Sequence, residues 1–219
     1  MAPEFVRRGR VRLLAAVVVA TIATVACNGG GGGNSGTPTS SVPTATATAA
    51  PEPQPTIVGN QLNYPAHGFA AVIPDGWHAN AGGIVAGLTK IDTFFSAAAV
   101  DGVQANVSVT CEGDPAGLST EDFVTNRLAT ITKRSAIDLK KLDPVMIDGQ
   151  QAQVASYTIT RDQLTVRQYD AMFVTPSCAW TIALATAPSG ENDNKAIFFK
   201  FLESFRLLNS GAASSTPTS

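Results

Sequence analysis

Two histidines, His67 and His78, and three cysteines, Cys27, Cys111 and Cys178, stand among 219 residues, so nucleophilic or metal chemistry has few groups to draw on. The histidines lie 11 positions apart in a turn-rich stretch. A hairpin there would let them approach as a two-histidine metal site, whereas the plainer reading makes each an exposed loop residue. Neither Cys111 nor Cys178 has a Cys-x-x-Cys partner or a histidine at ligand spacing, so no metal and no cofactor is expected. A catalytic nucleophile needs a neighbouring base held by a third group. No Gly-x-Ser-x-Gly, His-Glu-x-x-His or phosphate-loop pattern occurs, which leaves carboxylates as the simplest catalytic option. Glu112 and Asp114 flank a strand end and could offer oxygens to a weakly held calcium ion, but calcium wants six or more oxygens from a defined loop. Glu121 and Asp122 are explained by helix capping and the helix dipole. The catalytic, cofactor and metal sets are therefore expected to be empty.

The elements that would position these groups follow from periodicity. Gly68 to Ile73 reads as a strand closed by the turn Pro74-Asp75-Gly76-Trp77, and Phe94 to Val100 and Gln104 to Cys111 as strands joined through Asp101-Gly102. Ser119 opens a helix, with Asp122 three residues on, Leu118 and Phe123 as a hydrophobic staple, and Val124, Leu128 and Ile131 on one face; it should end near Arg134. The pairs Lys133-Arg134 and Lys140-Lys141 read as solvated helix-end charges. Turns at Asp148-Gly149, Arg161-Asp162 and Pro176-Ser177 then link Val145–Ile147, Gln151–Thr160, Leu164–Val174 and Cys178–Ala187 into an antiparallel meander. A closing helix over Glu191–Ser204 carries Ile197, Phe198, Phe201 and Leu202 on one face, with Phe205 just beyond, an aromatic stripe that reads as core packing. Strands, helix, meander and helix in this order specify an α+β domain with helices packed on a central antiparallel sheet.

Cys111 and Cys178 each fall in phase with the apolar side of an alternating strand, so both thiols point to a buried face. In an exported protein an even pair of this kind favours a Cys111–Cys178 disulfide. The alternative is two separate buried thiols acting as small apolar residues.

Export is indicated by the first 27 residues. Arg7, Arg8, Arg10 and Arg12 precede an apolar run from Leu13 to Ala26, the order of a secretory signal. That run is shorter than the roughly 20 residues a membrane-spanning helix needs. Thr24-Val25-Ala26-Cys27 resembles the lipobox of bacterial lipoproteins, with Thr24 in place of the usual leucine. The resemblance implies lipidation of Cys27, such as palmitate and diacylglyceryl, and cleavage ahead of it, so the lipid bilayer is one partner; an ordinary secreted protein with a free Cys27 is the alternative. The expected organisation is a signal peptide at 1–26, lipidated Cys27 opening a disordered Gly/Thr/Pro-rich linker at 27–56, a folded domain at 57–208 and a disordered tail at 209–219. The linker holds Gly29–Gly33 and one charge, Glu52, with too little apolar side chain to offset its ordering entropy.

Removing the four arginines and Glu4 from 15 basic and 17 acidic residues leaves 11 and 16, a net charge of −5. That argues against nucleic acid as a partner. A protein or small ligand remains.

The stretch Tyr64-Pro65-Ala66-His67-Gly68-Phe69-Ala70-Ala71-Val72-Ile73-Pro74-Asp75-Gly76-Trp77 resembles the opening of PsbP/Mog1-like domains. Ile147-Asp148-Gly149-Gln150-Gln151-Ala152 is similar to that family's central hairpin, and Phe201-Leu202-Glu203-Ser204-Phe205-Arg206-Leu207 to its closing helix. The resemblance covers nearly all of the folded part and implies an α/β/α sandwich. Its members span photosystem subunits, a Ran-binding protein and bacterial lipoproteins, so it assigns no function. The expectation is a lipid-anchored, non-catalytic binding or assembly module facing outside the cytoplasm. The alternative is a cell-envelope hydrolase or ligand-sequestering protein, which should gather at least two of His67, His78, Glu112 and Asp114 in one cleft.

Overall fold

The computed structural model describes residues 54–208 apart from 81–83, 87–88, 114, 116 and 162. Cys27, the signal at 1–26, nearly all of the linker and the tail at 209–219 lie outside the described residues. Four short strands come first: β1 (Thr56–Val58), β2 (Gln61–Tyr64), β3 (Phe69–Val72) and β4 (His78–Ala79). β5 (Ile84–Ala86), β6 (Thr89–Val100) and β7 (Val103–Gly113) lead to helix α1 (Thr120–Lys133). β8 (Ile137–Lys141), β9 (Val145–Ile147), β10 (Gln150–Arg161), β11 (Leu164–Thr175) and β12 (Cys178–Thr186) follow. Helix α2 (Glu191–Ser204) and β13 (Arg206–Leu207) close the domain.

A nine-stranded sheet runs β4-β6-β7-β12-β11-β10-β8, with β5 added on β6 and β9 on β10. Each of its pairings is antiparallel. β12 lies at its centre and is buried along its whole length. Strand alternation sends successive side chains to opposite faces. On β11, Tyr169, Ala171 and Phe173 join the main core with Phe198, Phe201, Leu202 and Phe205, while Met172 joins Phe123 and Val124 in a second cluster. So α2 covers one face and α1 the other, as the α/β/α reading expects.

A second sheet, β1-β2-β3-β13, lies over the α2 side and sends Leu62, Tyr64, Phe69 and Ala71 into the main core. Sequence periodicity does not announce it, because β13 is two residues long and joins β3 from more than 130 residues away. Between the sheets, Phe69 stacks on Phe205 at 5.1 Å and meets Trp180 edge-on at 6.4 Å, while Trp180 stacks on Phe173 at 6.1 Å. Each such pair adds about 1 kcal/mol to what area burial supplies.

Local chemistry accounts for the ends. Both Asp-Gly turns adopt positive φ at both residues, 49° and 77° at Asp101-Gly102 and 48° and 80° at Asp148-Gly149, which twists the chain to suit a tight hairpin. Ser119 caps α1: its hydroxyl accepts from Asp122 N at 3.1 Å and donates to the Asp122 carboxylate at 2.7 Å. One expectation fails here. Lys140 and Lys141 are not helix-end charges, because α1 stops at Lys133 and both lysines sit on β8. β8 is an outer strand of the large sheet, where exposed lysines discourage edge-to-edge pairing.

Candidate functional site

The two sheets part at the open end of the main core and leave a cleft of about 660 Å³, within the size range of small-molecule sites. One wall is the short helical turn Pro65–His67 with Gly68, which connects β2 to β3. Gly68 has φ 75°, and its carbonyl accepts from Leu208 N at 2.9 Å, pinning the segment that follows β13 beside it. A Cβ on Gly68 would sit 3.7 Å from the Trp180 ring, ordinary contact, so the position needs glycine for its backbone and not for space.

The large sheet supplies the floor. Lys90 stands opposite Cys111 and Asp92 opposite Val109; these pairs share the face that also carries Phe94 and Val107. All four paired residues line the cleft, together with Cys178, Trp180 and the β11–β12 turn Thr175–Ser177. Cys111 and Cys178 are bonded, with Cα atoms 5.6 Å apart, as their strand phases lead one to expect. The bond ties β7 to β12 directly beneath the cleft. Thr175 is committed to structure, its hydroxyl accepting from Trp180 Nε1 at 3.2 Å and donating to Cys178 O at 3.1 Å.

The polar centre is a hydrogen-bonded pair between elements 25 residues apart: His67 Nδ1 donates to Asp92 Oδ2. The two side chains are 6% and 4% exposed, so the pair closes the inner end of the cleft and fastens the small sheet to the large one. Tyr64 stacks on the imidazole at 3.8 Å with an interplanar angle of 12°. A carboxylate at Nδ1 fixes the tautomer and orientation of a histidine ring.

The expected candidates scatter. His67 is not an exposed loop residue; Asp92 and Tyr64 hold it inside. His78 is exposed on β4, opposite Phe95, so only its loop reading survives in outline. Glu112 follows Cys111 by one residue and therefore faces the other way, toward α1, where Arg127 Nη1 donates to it at 3.3 Å. Asp114 lies outside the described residues. Of the four, His67 alone among the described residues lines the cleft. No group of three or more metal-ligating side chains occurs among the described residues.

Sequence reading missed Lys90, Asp92, Gln150 and Ser177. The available signal was phase: Lys90 and Asp92 occupy the same alternating positions as core residue Phe94, and a charged residue at a core position of a strand asks for a buried partner.

Two further polar clusters lie away from the cleft. Under α1, Asp170 is fully buried and accepts from Tyr157 OH at 2.9 Å and Gln168 Nε2 at 3.2 Å. Burial pushes its carboxyl above the usual range, outweighing the Arg127 charge and these hydrogen bonds, and the Tyr157 hydroxyl is likewise driven up by burial and the nearby Asp170. At the start of α2, Glu191 accepts from Tyr169 OH and from Arg167 Nε at 3.0 Å. Burial pulls the Glu191 carboxyl up, but those hydrogen bonds and the Arg167 charge hold it below its ordinary value. Both clusters build the fold and neither opens on the cleft.

No family model matches the chain, and no curated protein does. Solved structures resemble it at low identity. Protein PA94 of Pseudomonas aeruginosa, of unknown function, matches with a TM-score of 0.46 and 15% identity over 61% of this chain and 88% of its own. The cyanobacterial PsbP, CyanoP, of Synechocystis sp. PCC 6803 matches at 0.45 and 18% over 64% and 87%. LpqN of Mycobacterium tuberculosis, described as involved in cell envelope biogenesis, matches at 0.45 and 10% over 64% and 83%.

Proposed function

We propose that the chain is an extracytoplasmic binding module, held to the membrane by a lipid on Cys27, which takes a small molecule into the inter-sheet cleft without transforming it. The observation that carries this reading is the cleft itself. It is walled by a disulfide and an aromatic core, and its buried polar pair, His67 and Asp92, is turned inward to join the sheets. A pre-formed concavity with a few fixed polar groups is the common form of a small-ligand site. The export signal and the lipobox-like Thr24–Cys27 support the anchor and the location. No helix among the described residues is long and apolar enough to cross a membrane. Cys27→Ser should abolish fatty-acid labelling and release the protein to the soluble fraction; unchanged membrane partition refutes the anchor. Native mass spectrometry of the full chain extracted from its own membrane should find a non-covalently held small molecule, lost on denaturation.

A second reading, a hydrolase using the carboxylate/histidine pair, has one observation in its favour: an oriented histidine and the hydroxyl of Ser177 border the same cleft. It requires hydrolysis of a model ester by the full chain that His67→Ala removes.

A further inference from the structure

We infer that the cleft takes an uncharged lipid with a single acyl chain, drawn from the leaflet that holds the Cys27 anchor; this rests on the anchored binding reading above and goes beyond it. The first observation is where the chain enters the domain. In the small sheet Thr56 pairs with Asn63, and Phe69 with both Tyr64 and Leu207. The start of β1 therefore lies at the same sheet end as the turn Pro65–His67 and Leu207–Leu208, which line the cleft. Two strand spacings, about 10 Å, separate β1 from β3, so the segment leading from Cys27 joins the domain beside the cleft. The large sheet agrees. Gln150 opens β10 and Thr175 ends β11 at the cleft, whereas Arg161 and Leu164 pair at the other end of these 12-residue strands, about 40 Å away. Residues 27–53 number 27, and an unstructured chain of that length spans about 30 Å when relaxed. Such a tether favours presenting the cleft end to the bilayer over the far end.

The second observation is the make-up of the wall. Phe69, Val109, Trp180, Leu207 and Leu208 give it an apolar surface. Among the described residues that line it the full charges are Lys90 and Asp92, one of each sign, and both are engaged within the protein, Asp92 by His67. No net charge is left to match an ionised head group, while the uncharged side chains of Gln150 and Ser177 suit hydroxyls or an ester. A volume of about 660 Å³ holds a drug-sized ligand; one acyl chain with a small head has that size, and a two-chain phospholipid does not.

Contact quenching of Trp180 tests the inference. The lipidated full chain with Trp77→Phe, which leaves Trp180 as its one tryptophan, is placed in phosphatidylcholine vesicles containing a monoacylglycerol brominated on its chain. Trp180 should lose most of its emission, and the wild type should show the same loss diluted by Trp77, so that a misfolded variant does not decide the outcome. Brominated phosphatidylcholine and a brominated alkanesulfonate should leave the emission nearly unchanged. Ala66→Phe with Ser177→Phe, at exposed positions of the cleft wall, should restore most of it. No quenching by the monoacylglycerol, equal quenching by the two-chain or the ionised lipid, or quenching that survives the two phenylalanines overturns the proposal. Cys27→Ser separates the two levels. Supplied with dispersed monoacylglycerol it should still be quenched, which upholds the ligand class whatever becomes of the anchor. Supplied with vesicles it should be quenched far less than the anchored chain, and equal quenching there overturns the leaflet as the source.

Discussion

Cutting the Cys111–Cys178 bond by replacing both residues with alanine should cost about 4 kcal/mol of folding stability. The bond joins residues 67 apart in sequence, and in the chain-entropy account a loop of that length, closed in the denatured state, destabilises that state by about 4 kcal/mol at 25 °C. Native packing should change little, since the bond sits at one end of the main-chain ladder between β7 and β12, which runs on from Gly113–Cys178 to Asn106–Ala185 without it. Losing two sulfurs, one of them on the fully buried Cys178, adds roughly 1 kcal/mol at most. Single domains have about 5–15 kcal/mol in total, so the variant should remain folded in water yet unfold at markedly lower denaturant. Urea unfolding of the oxidised wild type and the double-alanine variant measures the difference. A freed denatured chain exposes more surface, so the variant should also show a steeper dependence on urea. A loss below about 1 kcal/mol with an unchanged slope would refute the entropic reasoning, and with it the view that this bond secures the cleft floor.

His67→Ala should destabilise by about 3–5 kcal/mol, because it leaves Asp92 as a buried carboxylate without its histidine; Asp92→Asn in the same background should recover part of the loss, and an effect under 1 kcal/mol in thermal unfolding would contradict the fastening role. Thr181 is 3% exposed and its hydroxyl has no hydrogen-bond partner among the described residues. Thr181→Val should therefore stabilise by about 1 kcal/mol, and a loss of that size would reveal a bonded hydroxyl. Glu191 has a folded-state pKa below its ordinary value of 4.5, so the unfolded chain binds its proton first. Its contribution is complete above that ordinary value and disappears as pH falls through the lower, folded one. The stability difference between wild type and Glu191→Gln should accordingly shrink on acidification below about pH 4.5; a difference constant from pH 7 to pH 3 would contradict the network with Tyr169 and Arg167.

Local signals were legible where a few adjacent residues settle the backbone. Asp101-Gly102 and Asp148-Gly149 each define their hairpin, Ser119 and Asp122 cap α1, and the spacing of Phe198, Phe201 and Leu202 marks the buried face of α2. The paired phases of Cys111 and Cys178 also identify a disulfide, because both strands are long enough to alternate clearly. What escaped depends on partners distant in the chain. β13 is recognisable only beside β3. β8 is mostly exposed and carries Asp138 at φ 55°, so it shows no apolar alternation. The cleft's central pair was hidden for a related reason: a strand taken to begin at Phe94 omits Lys90 and Asp92, and no local pattern links Asp92 to a histidine on a turn of another sheet.

The most direct test of a binding, non-transforming cleft is a two-dimensional amide NMR titration of the isotope-labelled chain with a mixture of small organic molecules, following the ligand signals in the same tube. The account predicts that shifted amides cluster at residues 66–68, 90–92, 177–178 and 207–208 and that every ligand spectrum stays unchanged over days. Shifts confined to the α1 face, or the appearance of product signals, would contradict it.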